Sequence, residues 1–204
     1  MLFFRSIGHP ARKPWHIHES PFFNESGWPS SPAWRLIQAP GSTIITTDAL
    51  SDPFISQPTE PGLGFELLCE CQQEFQGNMA ARTSWLFDIL FAVSEFVVQF
   101  ADFKAMLDVH KVGTIQIPYT DPDLEPFAGA EGFIGVFVGQ PLPNHPSSFC
   151  SPAGPVSIFT VKLLTPAELQ FALDGGQSGS EALQRKFTET STHHLSSLNR
   201  PSVI

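Results

Sequence analysis

The segment from Thr83 to Asp102 predicts a long helix that is stable only when most of its surface is buried. Its polar residues recur at spacings of seven, four and three, so they form a single stripe on an otherwise apolar cylinder: Asp88, Glu95, Gln99 and Asp102. Thr83 or Ser84 can cap its start. The stripe interrupts the apolar run, whereas a membrane span needs about 20 largely apolar residues. We therefore expect this helix inside a protein core, covered by other elements.

Five segments have the composition of β-strands. Residues 42–47 are mostly β-branched, and residues 65–72 alternate, with Phe65, Leu67, Cys69 and Cys71 on one face. The same alternation predicts a half-buried strand whose Glu66 and Glu70 face solvent. The other three strands are predicted at residues 112–119, 133–138 and 156–164.

The clearest local signal is a helix start at residues 165–168. Thr165 at the N-cap, Pro166 at the first helical position and Glu168 at the third form a capping box. This helix is predicted to end at Gly175 and Gly176, and another to follow, over residues 178–190. Together with the strands, these helices predict an α+β fold in which a twisted mixed sheet is packed by helices.

The N-terminal residues 1–40 are predicted to form an arm that packs on a body of residues 41–204. Residues 8–41 hold six prolines, which disfavour helix, and three tryptophans, which favour contact with a core: Trp15, Trp28 and Trp34. The body is expected to be one domain, since a chain of 204 residues suits one domain with an arm.

The charge of the chain is concentrated in its middle. The net charge is −9, made up of +2 in residues 1–40, −12 in residues 41–174 and +1 in residues 175–204. An acidic body repels phosphate backbones, so nucleic acid is not an expected partner. A basic protein partner would instead be attracted to it.

The cysteines and the chain start indicate a cytoplasmic protein. Three cysteines do not make a disulfide framework, and reduced thiols suit the cytoplasm: Cys69, Cys71 and Cys150. The first 15 residues contain no apolar run of signal-peptide length. No membrane contact is expected.

No motif predicts catalysis, a metal site or a cofactor. The nearest match to a nucleophile elbow, residues 176–180, precedes a helix without a strand before it. Cys69 and Cys71 lack companions at zinc spacing, and residues 121–125 lack the glycine and glutamate of a calcium loop. We therefore predict no enzyme. The alternative is an enzyme with a scattered site built from His110, Asp108, Asp48 and Ser51.

An ordered set of segments resembles the suppressor of fused (SuFu) domain. The set comprises IITTDALSDPF and GLGFELLCEC at residues 44–71, Trp85 with the long helix, LEPF and GFIGVFVGQPLP at residues 124–143, and VSIFTVKLLTPAELQFAL at residues 156–173. The resemblance implies a single compact α+β fold and a protein-binding role. Animal members clamp an extended peptide between this domain and a second one. Bacterial stand-alone members, which this chain resembles in length, are proposed immunity proteins that neutralise a toxin of their own cell.

The resemblance also implies partner-binding residues. Animal members grip the peptide with an aromatic residue at the helix end and a Gly-Asp-His stretch. The matching positions here are Phe96 and Leu107-Asp108-Val109-His110, which retain the aspartate. We therefore predict that Phe96, Asp108 and His110 bind a partner.

The leading functional hypothesis is an immunity protein that binds a toxin through acidic groups, with a basic toxin domain as the candidate partner. The predicted groups are Glu66, Glu70, Asp121, Asp123, Glu125 and Glu131. A second hypothesis is a SuFu-type regulator that adds an extended peptide to an exposed sheet edge. The oligomeric state is left open.

Overall fold

The computed structural model describes residues 2–16, 27–100, 102–143 and 145–204. The strands in these residues are β1 His9–Pro10, β2 Trp15–His16, β3 Ala33–Ala39, β4 Ser42–Thr47, β5 Phe65–Cys71, β6 Gly113–Ile117, β7 Ile134–Val138, β8 Ser148–Ser151 and β9 Gly154–Leu163. The helices are α1 Leu2–Ile7, α2 Gly77–Arg82, α3 Trp85–Gln99, α4 Phe103–His110 and α5 Pro166–Glu189. A 3₁₀ helix covers Pro122–Phe127.

The strands form one mixed sheet, and helices pack against it. The strand order is β1-β3-β4-β5-β9-β7-β6, while β2 pairs with β3 and β8 pairs with β9. The pairing of β5 with β9 is parallel, and the other ladders are antiparallel. This confirms the predicted α+β fold. The five predicted strands are also confirmed, with small differences at their ends.

The helix α3 covers the first face of the sheet. Ser84 caps it, since its side chain accepts a hydrogen bond from the backbone N–H of Phe87. The apolar face of α3 packs in the same core as Phe65, Leu67 and Cys69 of β5. The predicted helix is therefore confirmed and is buried as expected, although it ends at Gln99 and a separate helix, α4, follows.

The second face of the sheet is covered as well, which corrects the predicted exposure of β5. Phe4 and Ile7 of α1 pack on Leu68 in a second apolar cluster. Glu66 and Glu70 are only 2% and 6% exposed. The alternation along β5 predicted correctly which residues share a face of the strand. The prediction that the second face is exposed to solvent was wrong, because N-terminal and C-terminal segments lie over that face.

The residues before position 40 contribute directly to the sheet. The strand β3 pairs with β4 over six residue pairs, from Trp34 with Thr47 to Ala39 with Ser42. Trp15, Trp28 and Trp34 are all buried in the first-face core, as the predicted packing of the arm requires. The strand itself was not predicted. Part of the predicted arm, residues 17–26, lies outside the described residues, and the division of the chain at residue 40 stays a prediction.

The helix α5 begins with the predicted capping box. The hydroxyl of Thr165 accepts a hydrogen bond from the backbone N–H of Glu168, and the Glu168 carboxylate accepts one from the backbone N–H of Thr165. Gly176 has φ 56° and ψ −136°, so the helix is kinked where the sequence predicted a break. The same carboxylate pairs with Arg200, and this buried ion pair holds the C-terminal segment against the sheet.

No helix among the described residues is long and apolar enough to cross a membrane.

We predict that Glu168→Gln strongly destabilises the fold. Burial alone would raise the pKa of Glu168, but hydrogen bonds and charge from Arg200 outweigh it and hold that pKa below its ordinary value. Removing the carboxylate leaves the Arg200 charge buried and unpaired, which costs about 3–5 kcal/mol. Urea unfolding at neutral pH measures the loss. Asp174→Asn on the exposed side of the same helix is the control, and an equal effect of both variants would contradict the prediction.

The same pair gives a pH dependence. A carboxyl whose pKa is lowered in the folded state contributes stability above its unfolded pKa and loses it as the pH falls through the folded pKa. The wild type should therefore lose stability relative to Glu168→Gln as the pH falls below about 4.5.

We predict the opposite pH dependence for Glu66. Burial raises the pKa of Glu66 to about 7 from its ordinary value of 4.5, although the hydroxyl groups of Ser51 and Thr47 partly offset the rise. The folded state then binds more protons than the unfolded state between these values, so Glu66 reduces stability as the pH rises through that window. The unfolding free energy of Glu66→Gln, relative to wild type, should increase by up to about 3 kcal/mol from about pH 4.5 to about pH 7.5. A difference in unfolding free energy that stays constant with pH, as expected for the exposed control Glu125→Gln, would contradict the raised pKa of Glu66.

Candidate functional site

The strand β9 has two successive neighbours on one of its edges. Ser157 pairs with β5 on the first edge and with Ser148 of β8 on the second. Val161 pairs with β5 on the first edge and with Val138 of β7 on the second. The strands β8 and β7 therefore follow one another along the same edge of β9, and a gap separates them.

A groove of about 610 Å³ opens at this gap. The end of α4, the segment after β7, the start of β8, the middle of β9 and one residue of α5 contribute to its walls. We call it the Asp108 groove. Its lining residues are Leu107, Asp108, Lys111, Gly139, Gln140, Pro141, Leu142, Ser147, Ser148, Ser157, Ile158, Phe159 and Gln184.

Asp108 lies on the last turn of α4 and points its carboxylate to the surface. The side chain is 53% exposed and forms an ion pair with Lys104, with 2.6 Å between Oδ2 and Nζ. An exposed pair at this helical spacing contributes only about 0.3–0.5 kcal/mol. The carboxylate can therefore exchange Lys104 for a donor on a partner at little cost. Lys111 Nζ bonds to the backbone carbonyl of Asp108 and adds a positive charge to the same rim.

The floor of the groove depends on a close contact between two backbone segments. Lys111 ends α4 with φ 68°, a left-handed conformation, and its N–H donates to the carbonyl of Leu107. Gly139 has φ 92°, and a Cβ atom there would lie 2.2 Å from the carbonyl oxygen of Lys111. Only glycine fits this position, because both the dihedral angle and the space exclude a side chain.

Gln140 lines the groove, but its side chain is buried. The residue is 2% exposed, its backbone carbonyl accepts a hydrogen bond from Thr160 Oγ1 at 2.7 Å, and its Nε2 donates to Thr188 Oγ1 at 3.3 Å. Its Oε1 is buried and has no hydrogen-bond partner among the described residues. A buried acceptor without a donor is costly, and a donor from a bound segment would reach it only if the Gln140 side chain turned outward.

The outer edge of β8 is the second feature of the groove. Among the described strands β8 pairs only with β9, and its residues alternate between exposed and half-buried. The N–H of Ile158 donates to the carbonyl of Ser147, so alternate residues from Ser147 onward direct their backbone groups toward β9. Ser148 and Cys150 direct theirs outward. This edge offers hydrogen-bonding groups to an added strand.

A chain of phenylalanine rings connects the groove to the surface. Phe159 lines the groove and contacts Phe65 at 5.5 Å between ring centroids, and Phe65 contacts Phe103 at 5.7 Å. Phe103 in turn contacts Phe96 and Phe100, which are 38% and 41% exposed. The predicted site residue Phe96 is thus half-exposed in an aromatic patch beside α4.

The other predicted site residues lie elsewhere. His110 is exposed at the end of α4 but does not line the groove. Asp123 and Glu125 are exposed on the 3₁₀ helix, and Asp121 caps that helix by accepting a hydrogen bond from the backbone N–H of Asp123 at 3.0 Å. Glu131 is exposed in the following loop. These acids form a separate part of the surface.

Glu66 and Glu70 have internal partners. The Glu66 carboxylate accepts hydrogen bonds from the Ser51 hydroxyl at 2.6 Å and from the Ser51 backbone N–H at 2.9 Å. Glu70 contacts His194 Nε2 at 2.7 Å. Burial alone would raise the pKa of Glu70, but hydrogen bonds from His194 and Ser42 outweigh it and lower that pKa. Both residues remain predictions as partner-binding groups, although neither lies on an exposed surface.

The turn after β4 begins with Asp48, which pairs with Arg35 of β3. Burial raises the pKa of Asp48 despite this pairing. Asp48 and Ser51 line a second cavity over the second face of the sheet, whereas Asp108 lines the groove. The four residues of the scattered enzyme site are therefore not brought together.

The cysteines of β5 pack as apolar groups. Burial raises the pKa of Cys69 to about 12 and that of Cys71 to about 11, so both thiols are protonated at neutral pH. A protonated thiol is neither a good metal ligand nor a nucleophile. No group of three or more potential metal ligands occurs within the described part of the chain.

The sequence did not reveal Gln140 or β8. The segment around β8 is rich in proline and serine, a composition typical of loops. In the structure its prolines flank the strand, at positions 146 and 152, and leave residues 148–151 free to pair. That spacing, together with the turn residues Pro152 and Gly154, is the signal in the sequence that could have indicated a hairpin.

Comparisons with known proteins agree with the fold. A family model described as Suppressor of fused protein (SUFU) matches residues 35–201. The crystal structure of Drosophila Suppressor of Fused is similar, with a TM-score of 0.57 and 15% identity, over 89% of this chain and 45% of that chain. A crystal structure of the Sufu-Fu complex has the same TM-score and identity, over 94% of this chain and 85% of that chain. A comparison with curated proteins found no match.

The chain spans less than half of the Drosophila chain, so it corresponds to a part of that protein. The family match extends over most of the chain, from β3 to the segment that Arg200 fastens to the sheet. The chain therefore belongs to the suppressor of fused family.

Proposed function

We propose that this chain is a non-catalytic protein-binding domain that adds an extended segment of its partner to the outer edge of β8, beside the Asp108 groove. The observation that supports this most directly is the outer edge of β8, which pairs with no described strand and where Ser148 and Cys150 direct their backbone groups outward. An added strand gains affinity from main-chain hydrogen bonds and specificity from pockets for its alternate side chains.

The groove next to this edge suits such a segment. It combines the half-buried ring of Phe159 with the exposed carboxylate of Asp108. A partner segment with one apolar residue and a neighbouring donor would use both. One of the similar structures is a complex, Sufu with Fu, which is consistent with a protein partner here.

The aromatic patch gives the partner a second area of contact. Phe96 and Phe100 expose large apolar rings close to α4, and aromatic residues are common anchors in protein interfaces. Because Phe103 links both rings to the core, the patch is fixed before binding, which reduces the entropy lost on association.

The finer form of this proposal is an immunity role, in which the partner is a toxin made by the same cell and is neutralised in the cytoplasm. The charge of the body supports it, since residues 41–174 carry −12 and would attract a basic domain. The exposed acids Asp123 and Glu125 belong to this charge. In this form the groove and β8 bind the toxin, and the acidic surface accelerates the encounter.

The direct experiment is an affinity capture with the tagged full chain in moderate salt, followed by production of the captured protein alone and together with this chain. A partner that is toxic alone and harmless together with the chain supports the immunity role. A partner that binds but is not toxic supports the protein-binding proposal and contradicts the immunity role. The absence of any stoichiometric partner contradicts both.

We predict that Ser148→Pro abolishes partner binding without unfolding the protein. Proline removes an N–H that points away from β9, so the β8–β9 ladder is retained while a donor to the added strand is lost. We expect the dissociation constant to rise at least about tenfold, the equivalent of 1.4 kcal/mol. Ser148→Ala, which keeps the N–H and removes only the hydroxyl, is the matched control. Unchanged binding by Ser148→Pro would exclude strand addition at β8.

We predict that Asp108→Asn weakens partner binding by about three- to tenfold, because the carboxylate loses its charge but keeps its shape. The effect should appear mainly in the dissociation rate, whereas raising the salt concentration should slow association. Surface plasmon resonance separates the two rates. Asp102→Asn, at the other end of α4 and outside the groove, is the control. Equal effects of the two variants would remove Asp108 from the site.

A further inference from the structure

A second cavity, of about 890 Å³, lies over the second face of the sheet. Its walls come from α1, from the turn after β4 and from the β8 hairpin, and Glu66 of β5 lies at its base. We call it the second-face cavity. It shares only Ser148 with the Asp108 groove, so the two occupy different positions around β8.

One wall of the second-face cavity is aromatic. Phe3 of α1 and Phe149 of β8 are stacked, with 4.8 Å between ring centroids and 20° between ring planes. Phe4 lies beside them. Phe149 is half-buried and lines the cavity. This wall presents flat π surfaces, which attract cations, and guanidinium groups most effectively.

Three carboxyl groups, those of Asp48, Asp52 and Glu66, also line the cavity, while its described lining includes no lysine or arginine. Asp48 is paired with Arg35 and Glu66 is 2% exposed, so Asp52 is the carboxylate of the three that is open to a ligand. Asp52 is exposed, and its described hydrogen bond comes from Ser30 Oγ at 2.6 Å. Burial raises the pKa of both Asp48 and Glu66, and the charges of neighbouring aspartates add to each shift. A cation entering the cavity would relieve this repulsion.

The protein itself already holds a guanidinium group in this way, directly behind the cavity. Arg35 Cζ lies 5.3 Å from the centroid of the Phe4 ring, and its Nε donates to Asp48 Oδ2 at 3.0 Å. Arg35 is 5% exposed and its third contact is the carbonyl of Ala11, at 2.9 Å. A ring and a carboxylate also border the open side of the cavity, since Phe149 and Asp52 both line it, and its described lining holds no arginine or lysine.

We propose that the second-face cavity receives the guanidinium group of an arginine side chain from a protein partner. Arginine fits better than lysine, because a planar group can stack on Phe149 while its fork of donors faces the carboxyl groups. A partner chain, rather than a free small cation, is the expected source, because Cys150 borders the cavity and directs its backbone groups outward, where a strand could be added. The choice of a protein partner therefore rests on the strand addition proposed at β8, whereas the binding of a guanidinium group in the cavity does not require that the Asp108 groove be occupied.

The test uses the full chain labelled with ¹⁵N and titrates acetyl-arginine-N-methylamide while amide shifts are recorded. We expect saturable shifts at residues 48–52 and 148–151, with a dissociation constant in the millimolar range that is typical of so small a ligand. The uncharged isostere acetyl-citrulline-N-methylamide should bind at least about fivefold more weakly, the loss of one charge-assisted contact. The absence of saturable shifts there, or equal binding of the two probes, overturns the proposal.

Variants locate the site and separate it from the proposed function. Asp52→Asn should weaken arginine binding several-fold while the unfolding midpoint stays unchanged, since Asp52 is exposed. Asp123→Asn, an acid outside the cavity, and Asp108→Asn, in the groove, should have no effect on arginine binding. Loss of arginine binding in Asp123→Asn as well would show a general charge effect and overturn the site.

A short peptide with a central arginine between β-forming residues tests the source of the cation. It should bind at least about tenfold more tightly than the capped amino acid, because backbone pairing with β8 is added. Equal affinity of the peptide and the capped amino acid would assign the cavity to small cations. It would overturn the proposal that the arginine comes from a protein partner.

Discussion

The change of neighbour along the second edge of β9 is the constraint on which the binding surface depends. Its first half pairs with β8 and its second half with β7, while β5 runs along the other edge. Because two short strands share one edge of β9, a gap remains between them. The outer side of β8 pairs with no described strand. The groove, the free edge and the second cavity all border β8. The hairpin formed by β8 and the first four residues of β9 thus provides most of the surface that is available to a partner.

Covering both faces of the sheet forces carboxyl groups into the interior, and the structure compensates each in a different way. Glu168 has Arg200, Glu70 has His194 and Asp48 has Arg35. Glu66 accepts hydrogen bonds from hydroxyl and backbone donors among the described residues, and burial raises its pKa to about 7. Glu66 lies at the base of the second-face cavity, so the carboxyl group of this set that has no described basic partner borders the proposed cation site.

The sequence predicted the local features of the fold well and the tertiary ones less well. The capping box at Thr165 and the strand at residues 42–47 depend on residues close in sequence, and both were confirmed. The exposure of Glu66 depends on α1, which is distant in sequence, and a period of two is the same whether the second face meets solvent or a second layer. The strand β3 was missed because prolines 32 and 40 flank it, which gave the whole segment the composition of an arm.

The candidate site was predicted only in part, for the same reason. Family resemblance indicated Asp108, and the structure places it on the rim of the groove. It could not indicate Gln140, whose importance follows from a missing partner, nor the edge of β8, which is a property of the whole sheet. The edge of β8 offers hydrogen bonds to any backbone, so the site would accept many extended sequences. Selectivity would then have to come from outside it, from the aromatic patch at Phe96 and from a charged cavity that admits a planar cation.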